Sequence, residues 1–288
     1  MARIVTIAAG QVGPVPDDRE KTVQLLMDQL DEAASEGVEV LSFTECCLTY
    51  FFPPTLDRDF DRFFVECPSP LTDPLFAKAK ALDMALVFPF AEKAGNGFYN
   101  AAVVADADGR LLGRYRKVHL PGIFPSDKPG GTGSFERLYF APGDLGFPVF
   151  ETAKGKVGVQ ICYDRKFPEG FRSLALDGAE MIFVPTNAAT YGETRERATT
   201  WELPIRCRAY ENGCYVVAPN KAGVERGRRH IGRSLVVSPY GEILAEARTD
   251  GWEVVHATVD LDEVARARFG LPFWRDRRPD TYGRLLRM

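Results

Sequence analysis

Three ionisable side chains of different chemistry stand at the ends of short apolar runs in the sequence. They are Glu45, Lys117 and Cys162, and the run before each of them is typical of a β-strand. Ligands of open α/β sheets gather at the carboxyl ends of the strands. A thiol, a carboxylic acid and an ammonium group at one edge of a sheet would together allow nucleophilic attack on a carbonyl carbon.

Cys162 is the most informative of the three residues because of the segment that follows it. A predicted buried strand ends at residue 161, and Pro168 is typical of the first turn of a helix. The sulfur would then lie near a helix N-terminus, with Arg165 and Lys166 close by, and both features favour the thiolate. The sequence therefore predicts a nucleophilic cysteine in surroundings that stabilise its ionised form.

The other two residues supply what such a nucleophile needs. Glu45 would accept the thiol proton and later activate water. Lys117 would stabilise the oxyanion of the tetrahedral intermediate, together with the backbone N–H of Tyr163. A cysteine at a strand end is, however, often a small buried hydrophobe, and Glu45 and Lys117 could equally be surface charges. Spacing alone leaves both interpretations open.

Other hydrolase and nucleotide-binding signatures are missing from the sequence. The three histidines, His119, His230 and His256, are widely separated and form no HxH or HExxH pattern, so no metal site is expected. There is no GxSxG nucleophile elbow, which argues against a serine α/β-hydrolase. Walker A and GxGxxG patterns are also missing, which removes the obvious nucleotide signals.

The composition predicts a cytoplasmic globular protein. The 36 basic and 40 acidic residues give a net charge of −4, so no nucleic-acid partner is expected. Two short Arg-rich segments, residues 226–230 and 275–278, are interpreted as a solvated loop or tail. No apolar run approaches about 18 residues, and the N-terminal run is too short for a secretion signal, so no membrane partner is expected. The six cysteines show no CxxC spacing, which favours reduced thiols.

The elements that must position these residues alternate between short apolar runs and amphipathic segments. This alternation predicts one mixed α/β domain over residues 1–288. A first helix, capped by Asp17 or Asp18, should reach about residue 34, and further helices are predicted at 73–82, 169–176 and 194–212. Strands are predicted at residues 4–9, 38–43, 85–90, 99–105, 111–118, 149–151, 156–161, 181–185, 215–218, 234–237, 243–246 and 254–259.

Three irregular features accompany these elements. Pro204 is expected to kink or interrupt the helix at 194–212, because proline lacks the N–H that a helix interior needs. Residues 121–146 form a long stretch rich in Gly, Pro and Ser, and a loop of that length in a compact domain is usually functional. A C-terminal tail is expected from about residue 265 onward.

Three ordered blocks of the sequence resemble the nitrilase (carbon–nitrogen hydrolase) superfamily. The blocks are Phe43-Thr-Glu45, Tyr115-Arg-Lys117-Val-His119-Leu-Pro121 and Ile161-Cys162-Tyr-Asp164-Arg-Lys-Phe-Pro168-Glu169. The resemblance runs over almost the whole chain. It implies a catalytic triad of Glu45, Lys117 and Cys162, with Glu136 as a supporting second glutamate and no metal or organic cofactor. It also implies a four-layer α-β-β-α sandwich that assembles into a homodimer or homotetramer, with the tail at residues 265–288 in the oligomer contacts.

Within this superfamily the chain looks most like the N-carbamoyl-D-amino acid amidohydrolases. That resemblance implies that Arg165 holds a substrate carboxylate, with Lys166, His119 and Asn187 as further pocket candidates. Lys166 replaces the second arginine of that group, and the two side chains do not bind a carboxylate equivalently. Ser134 stands where that group tends to carry a histidine.

The predicted reaction is hydrolysis of the ureido C–N bond of a small N-carbamoyl amino acid to the amino acid, CO2 and NH3. Cys-Tyr followed by Arg two positions later also resembles the β-ureidopropionases. N-carbamoylputrescine amidases lack a basic residue at the position of Arg165 and rank lower. The remaining alternatives are an aliphatic amidase or nitrilase with the same triad, a papain-like pair of Cys162 and His119, and a catalytically silent relative that binds metabolites or partner proteins.

Overall fold

The computed structural model describes residues 2–122, 134–189 and 195–287, with the backbone alone for 195–198. In chain order the strands are β1 (Ile4–Gln11), β2 (Val40–Ser42), β3 (Ala85–Ala94), β4 (Gly97–Ala105), β5 (Leu111–Arg116), β6 (Val149–Thr152), β7 (Gly155–Val159), β8 (Met181–Phe183), β9 (Tyr215–Ala218), β10 (Ala222–Glu225), β11 (Arg228–Ile231), β12 (Leu235–Val237), β13 (Ile243–Glu246) and β14 (Glu253–Asp260). The α-helices are α1 (Arg19–Ser35), α2 (Asp73–Ala81), α3 (Glu136–Tyr139), α4 (Pro168–Leu176), α5 (Arg195–Asn212) and α6 (Asp262–Gly270). Short 3₁₀ turns lie at Phe60–Phe63, Cys162–Lys166, Pro279–Thr281 and Gly283–Leu286.

Helix α1 illustrates how local sequence sets these elements. The Asp18 side chain accepts a hydrogen bond from the backbone N–H of Lys21 at 3.1 Å, which caps the helix where the sequence predicts. Leu26 and Leu30 lie one turn apart on the buried face of the helix. Gly37 has φ +72°, a conformation that glycine adopts without strain, and the chain turns there toward β2.

Two six-stranded sheets share one design. The first has the order β14-β1-β2-β3-β4-β5, and the second has the order β13-β12-β9-β8-β7-β6. Each has three parallel strands at its centre, β1, β2 and β3 in one and β7, β8 and β9 in the other, with antiparallel neighbours outside them. Strand β5 runs in the same direction as β3, because two antiparallel pairings separate them. The ends of β2, β5 and β7 therefore present carboxyl edges at which functional side chains can gather.

The sheets pack face to face, and helices cover both outer faces. Alternate residues of β1 and β7, such as Ile7 and Val157, meet in the core between the sheets. Side chains of α1 and α2 pack on the outer face of the first sheet, and those of α4 and α5 pack on the second. This confirms the predicted α-β-β-α sandwich.

Each predicted strand and helix is present, with shifts of a few residues at its ends, and the structure differs from the sequence-based expectations in three places. Helix α5 runs without interruption through Pro204. Residues 226–230 are not simply a solvated loop, because they belong to the hairpin of β10 and β11, and its His230 is buried. Residue 265, where a tail was expected, lies inside α6.

Part of the predicted functional loop at 121–146 falls outside the described residues, which resume at Ser134 and form the short helix α3. Within the described ranges, none of the helices combines the length and the apolar character needed to cross a bilayer.

Candidate active site

The carboxyl edges of the two sheets bring the predicted residues together. Glu45 follows β2 and Lys117 follows β5, both in the first sheet, whereas Cys162 follows β7 of the second. The Lys117 Nζ lies 2.6 Å from Glu45 Oε1 and 2.7 Å from Glu136 Oε2. All three of these charged side chains are buried. The structure therefore places both glutamates on one ammonium group, beside the cysteine whose ionisation they influence.

Cys162 opens the 3₁₀ turn Cys162–Lys166 in an uncommon backbone conformation. Its φ is +48°, a region that glycine occupies easily and other residues rarely do. Its backbone N–H donates to the carbonyl of Pro185 at 2.9 Å, which continues the pairing of the second sheet beyond the end of β7. The cysteine is partly exposed. Strain of this kind is found at functional sites where the surrounding structure fixes the backbone.

A buried carboxylate, Asp164, joins the cysteine turn to the segment that carries Lys117. Asp164 Oδ2 accepts hydrogen bonds from the Tyr115 hydroxyl at 2.7 Å and from the Ile161 N–H at 3.0 Å. Asp164 Oδ1 accepts from the His119 N–H at 2.9 Å and lies 2.8 Å from His119 Nδ1. Tyr115 and His119 stand two residues before and two residues after Lys117. One carboxylate therefore fixes the lysine segment and the cysteine turn relative to each other.

Arg165 is the cation that directly contacts the cysteine. Its Nη1 donates to the Cys162 carbonyl at 2.7 Å and lies 3.6 Å from Cys162 Sγ. The guanidinium carbon lies 5.3 Å from the ring centre of Trp201. The Nε atom is buried and has no hydrogen-bond partner. A buried guanidinium with an unused donor beside the sulfur is suited to an anionic group of a bound molecule.

The remaining predicted residues have different surroundings. Lys166 is exposed, and its Nζ lies 3.5 Å from the Thr200 carbonyl. That carbonyl is the one to which Pro204, lacking an N–H, cannot donate, so Lys166 supplies a donor in its place. The His119 ring stacks on Phe167, with 3.8 Å between ring centres.

Two polar residues flank the glutamates. Asn187 donates from Nδ2 to the Glu45 carbonyl at 3.4 Å, and its buried Oδ1 has no hydrogen-bond partner. Ser134 makes a long contact of 3.4 Å with Glu136 Oε1. The Tyr163 N–H, the predicted oxyanion donor, makes no hydrogen bond to other described residues, which leaves it available to a ligand.

The electrostatics of the site correct one expectation. Burial raises the pKa of the Cys162 thiol to about 12, and the negative charge of Glu45 adds to this effect. Lys117 and Arg165 lower that pKa, but they do not compensate for burial. Burial thus favours the thiol over the thiolate that the helix and the neighbouring cations had suggested. A base must remove its proton during attack.

The pKa values of Lys117 and Glu136 are both raised, for different reasons. Burial alone would lower the pKa of Lys117, but attraction to Glu136 and Glu45 raises it well above its ordinary value, so the lysine stays charged. Burial raises the pKa of Glu136 to about 7, and Lys117 opposes that rise. One permanent cation thus sits between two carboxyl groups, of which Glu136 can hold a proton near neutral pH.

Sequence reasoning missed two residues of the site. Asn100 donates from Nδ2 to Glu45 Oε1 at 2.7 Å, and Asp164 had appeared only as part of a motif. A polar residue inside the apolar run of β4 was a usable signal for Asn100 because buried amides are normally hydrogen-bonded. Among the described residues no group of three or more His, Cys, Asp and Glu side chains is arranged to hold a metal ion.

Comparisons with known proteins cover all the segments that form this site. Residues 6–269 match the family model described as carbon-nitrogen hydrolase. The N-carbamoylputrescine amidase of Solanum tuberosum is 34% identical over 298 aligned residues, covering 99% of this chain and 95% of the relative. The citrullinase of Francisella tularensis is 31% identical over 278 residues, with 94% of each chain covered. The crystal structure of a carbon-nitrogen hydrolase from Helicobacter pylori G27 superposes with a TM-score of 0.88 at 30% identity, covering 99% of each chain.

Proposed function

The chain belongs to the carbon–nitrogen hydrolase family, and from that premise we propose that it hydrolyses the ureido C–N bond of a small N-carbamoyl amino acid through Cys162. The observation that carries this proposal is the arrangement around the sulfur. Glu45 and Glu136 share the ammonium group of Lys117 on one side, and Arg165 lies 3.6 Å from Sγ on the other. The first group supplies acid–base and oxyanion chemistry, and the second can bind a carboxylate.

The proposed cycle starts from the neutral thiol. Glu45 takes the proton from Cys162 as Sγ bonds to the ureido carbon, and the carbonyl electron pair moves to oxygen. Lys117 and the Tyr163 N–H stabilise that oxyanion. The bond to the amino-acid nitrogen then breaks, and Glu45 returns the proton to this nitrogen.

The second half releases the carbamoyl group. Water gives a proton to Glu45 and adds to the S-carbamoyl carbon, and the C–S bond then breaks as the sulfur regains its proton. The carbamic acid that leaves decomposes to CO2 and NH3. Overall, one ureido compound and one water give one amine, one CO2 and one NH3.

A second candidate substrate is N-carbamoylputrescine, which the N-carbamoylputrescine amidase of Solanum tuberosum supports. Its distal group is an ammonium, which Arg165 would repel, whereas an N-carbamoyl amino acid offers a carboxylate. The citrullinase relative acts on a ureido compound that carries both groups. The ureido bond is thus common to both relatives, and the distal group separates the candidates.

The catalytic assignment is tested with Cys162→Ala and Glu45→Gln on the best substrate of a panel. The panel contains N-carbamoyl-D-, N-carbamoyl-L- and N-carbamoyl-β-alanine, N-carbamoylputrescine, citrulline, an aliphatic amide and a nitrile. We expect kcat/KM to fall by at least about 10³-fold in each folded variant, because nucleophile and base act as one unit. Near-full activity in either folded variant would contradict the mechanism. Equimolar CO2 and NH3 mark the ureido reaction and separate it from simple amidase or nitrilase chemistry.

The carboxylate assignment is tested with Arg165→Ala, with Lys166→Ala as a matched control. Losing the buried guanidinium should raise KM about tenfold or more for carboxylated substrates and much less for neutral amides. Lys166→Ala should not show this difference, since its ammonium contacts Thr200. Equal effects of Arg165→Ala on both substrate types would favour the N-carbamoylputrescine alternative or a purely structural arginine.

The two remaining alternatives have direct tests. A pair of Cys162 and His119 would require the imidazole as base, but His119 Nδ1 is already held by Asp164, and the groups that shift the thiol pKa are Glu45, Lys117, Arg165 and Glu136. Substantial activity in His119→Ala would exclude that pair. A catalytically silent relative would bind members of the panel without turnover.

A further inference from the structure

The two carboxylate oxygens of Glu45 have different surroundings. Oε1 accepts hydrogen bonds from Lys117 Nζ at 2.6 Å and from Asn100 Nδ2 at 2.7 Å. Oε2 is equally buried, yet it has no hydrogen-bond partner. A buried carboxylate oxygen without a donor is unfavourable unless the protein uses it for something else. Oε2 is therefore the Glu45 oxygen that is free to accept a proton.

Asn100 lies where it can control both charged neighbours. It is 1% exposed and belongs to β4, which pairs with β5, the strand that ends directly before Lys117. Its side chain donates to Glu45, and its backbone carbonyl accepts the Lys117 N–H at 2.8 Å. A single residue of the first sheet thus connects the glutamate side chain with the lysine backbone.

We propose that Asn100 is a positioning residue that saturates Oε1 of Glu45 and so assigns proton transfer to Oε2. This inference rests on the proposed function only in taking Glu45 as the base. When Sγ attacks, its proton moves to Oε2 while Lys117 and Asn100 keep their hydrogen bonds to Oε1. The amide of Asn100 donates without giving up its proton, so it holds the carboxylate in one orientation through both halves of the cycle.

Loss of the Asn100 donor has a predictable direction. A hydrogen bond to the ionised form of a carboxylate favours that form, so its removal makes ionisation of the base harder. The acid limb of the rate–pH profile should then move to higher pH. Among the described residues, the titratable groups that face Glu45 are Lys117 after β5, Glu136 from α3, Cys162 from the 3₁₀ turn and the neighbouring Cys46, and all remain in the variants.

The test uses Asn100→Leu, which removes the donor, and Asn100→Asp, which keeps the shape and adds a like charge. We expect the acid limb of kcat/KM to move up by about 1 pH unit or more, with the larger shift in the aspartate variant. KM should change little, because Asn100 contacts the base and not the substrate. The matched control is Asn212→Leu. Asn212 is also buried and donates from Nδ2 to the Arg208 carbonyl, so its loss should lower stability and leave the limb in place.

A second readout needs no substrate. The rate at which iodoacetamide alkylates Cys162, followed by mass spectrometry of the peptide that contains it, reports the same base. Its acid limb should move by the same amount in both Asn100 variants and stay fixed in Asn212→Leu. An unmoved limb in a folded Asn100 variant, or an equal shift in the control, would overturn the inference.

These readouts separate the two proposals. If the wild-type protein does not turn over the panel but the alkylation limb is shifted in the Asn100 variants, the proposed function is contradicted and the positioning role is supported. If the panel is turned over normally but the limb does not move, the positioning role is contradicted and the proposed function is supported.

Discussion

At the scale of single residues, Asp164 is a buried group on which several donors converge. Tyr115, Ile161 and both the N–H and the ring of His119 reach its two oxygens. Asp164→Asn would replace one acceptor oxygen with an NH2 group and leave donors unpaired. We expect the free energy of unfolding to fall by about 2–3 kcal/mol in denaturant titrations. We also expect kcat to fall at least about tenfold, because the cysteine and lysine segments lose their common anchor.

A matched control for this prediction is Asp106→Asn. Asp106 is also buried, and its Oδ1 accepts the N–H groups of Ala107 and Ala153, away from the candidate site. It should lose stability and retain kcat. Equal losses of kcat in the two variants would show that Asp164 acts through general stability alone.

Glu136 makes stability depend on pH in a direction that can be measured. Burial raises its pKa from an ordinary 4.5 to about 7, so between these values the folded protein binds the proton more tightly than the unfolded chain does. Its contribution is therefore fully present below pH 4.5 and is lost as pH rises through 7. Urea unfolding of wild type and Glu136→Gln between pH 4.5 and 8 should show the variant gaining relative stability with rising pH. Parallel curves would contradict the raised pKa.

The sequence predicted that Glu45, Lys117 and Cys162 lie together, through recognisable strand ends and through family resemblance. It did not predict the factors that set the pKa of the cysteine, because the surroundings of the sulfur come from segments far apart in the chain. Local sequence showed Arg165 and Lys166 as neighbouring cations but did not show that the carboxyl groups of Glu45 and Glu136 act on the same sulfur. The contact of Lys166 with Thr200 likewise depends on where α5 packs.

At the scale of elements, the segment after α3 fixes the position of Lys117. The Gly143 N–H donates to the Lys117 carbonyl at 2.9 Å, and a Cβ at Gly143 would lie 2.1 Å from the Arg116 carbonyl oxygen. Backbone must therefore move in Gly143→Ala. We expect a loss of at least about 2 kcal/mol in unfolding free energy and a marked fall in kcat. Gly251→Ala is the control, because a Cβ there meets nothing within 4 Å, and it should behave like wild type.

Most elements were predictable from the periodicity of apolar residues and from helix N-caps such as Asp18, whereas the hairpin of β10 and β11 was not. Its sequence is rich in charge and suggests a loop. In the structure the buried Lys221 pairs with Glu225 at 2.6 Å, and Glu225 also accepts the N–H groups of Val15 and Phe51. Val15 and Phe51 lie more than 170 positions from Glu225 along the chain, so no local pattern could reveal these two contacts.

At the scale of the whole molecule, the layer order was predictable through family resemblance. Apolar periodicity alone gives a mixed α/β chain, because it does not tell which strands share a sheet. The strand order β14-β1-β2 places the first and the last strand of the described chain side by side in the first sheet, and only the three-dimensional structure shows it.

Assembly stays a prediction at this scale. The C-terminal segment exposes large apolar side chains, with Phe269 89% and Leu286 90% exposed. We expect light scattering to give two or four times the chain mass of 32.0 kDa. Leu286→Glu should lower that mass if the tail lies in the contact, and a wild-type mass of one chain would contradict the prediction of an oligomer.

The origin of the reacting groups in different sheets has a mechanical consequence. Glu45 and Lys117 follow strands of the first sheet and Cys162 follows a strand of the second, so the distance between them depends on how the two sheets pack and on the Asp164 hydrogen bonds that join the two segments. Val157→Ala, which removes apolar volume between the sheets, should therefore lower kcat as well as the free energy of unfolding. Because kcat depends on the packing of the two sheets, it should fall in mild denaturant before the circular dichroism signal of helices and strands changes.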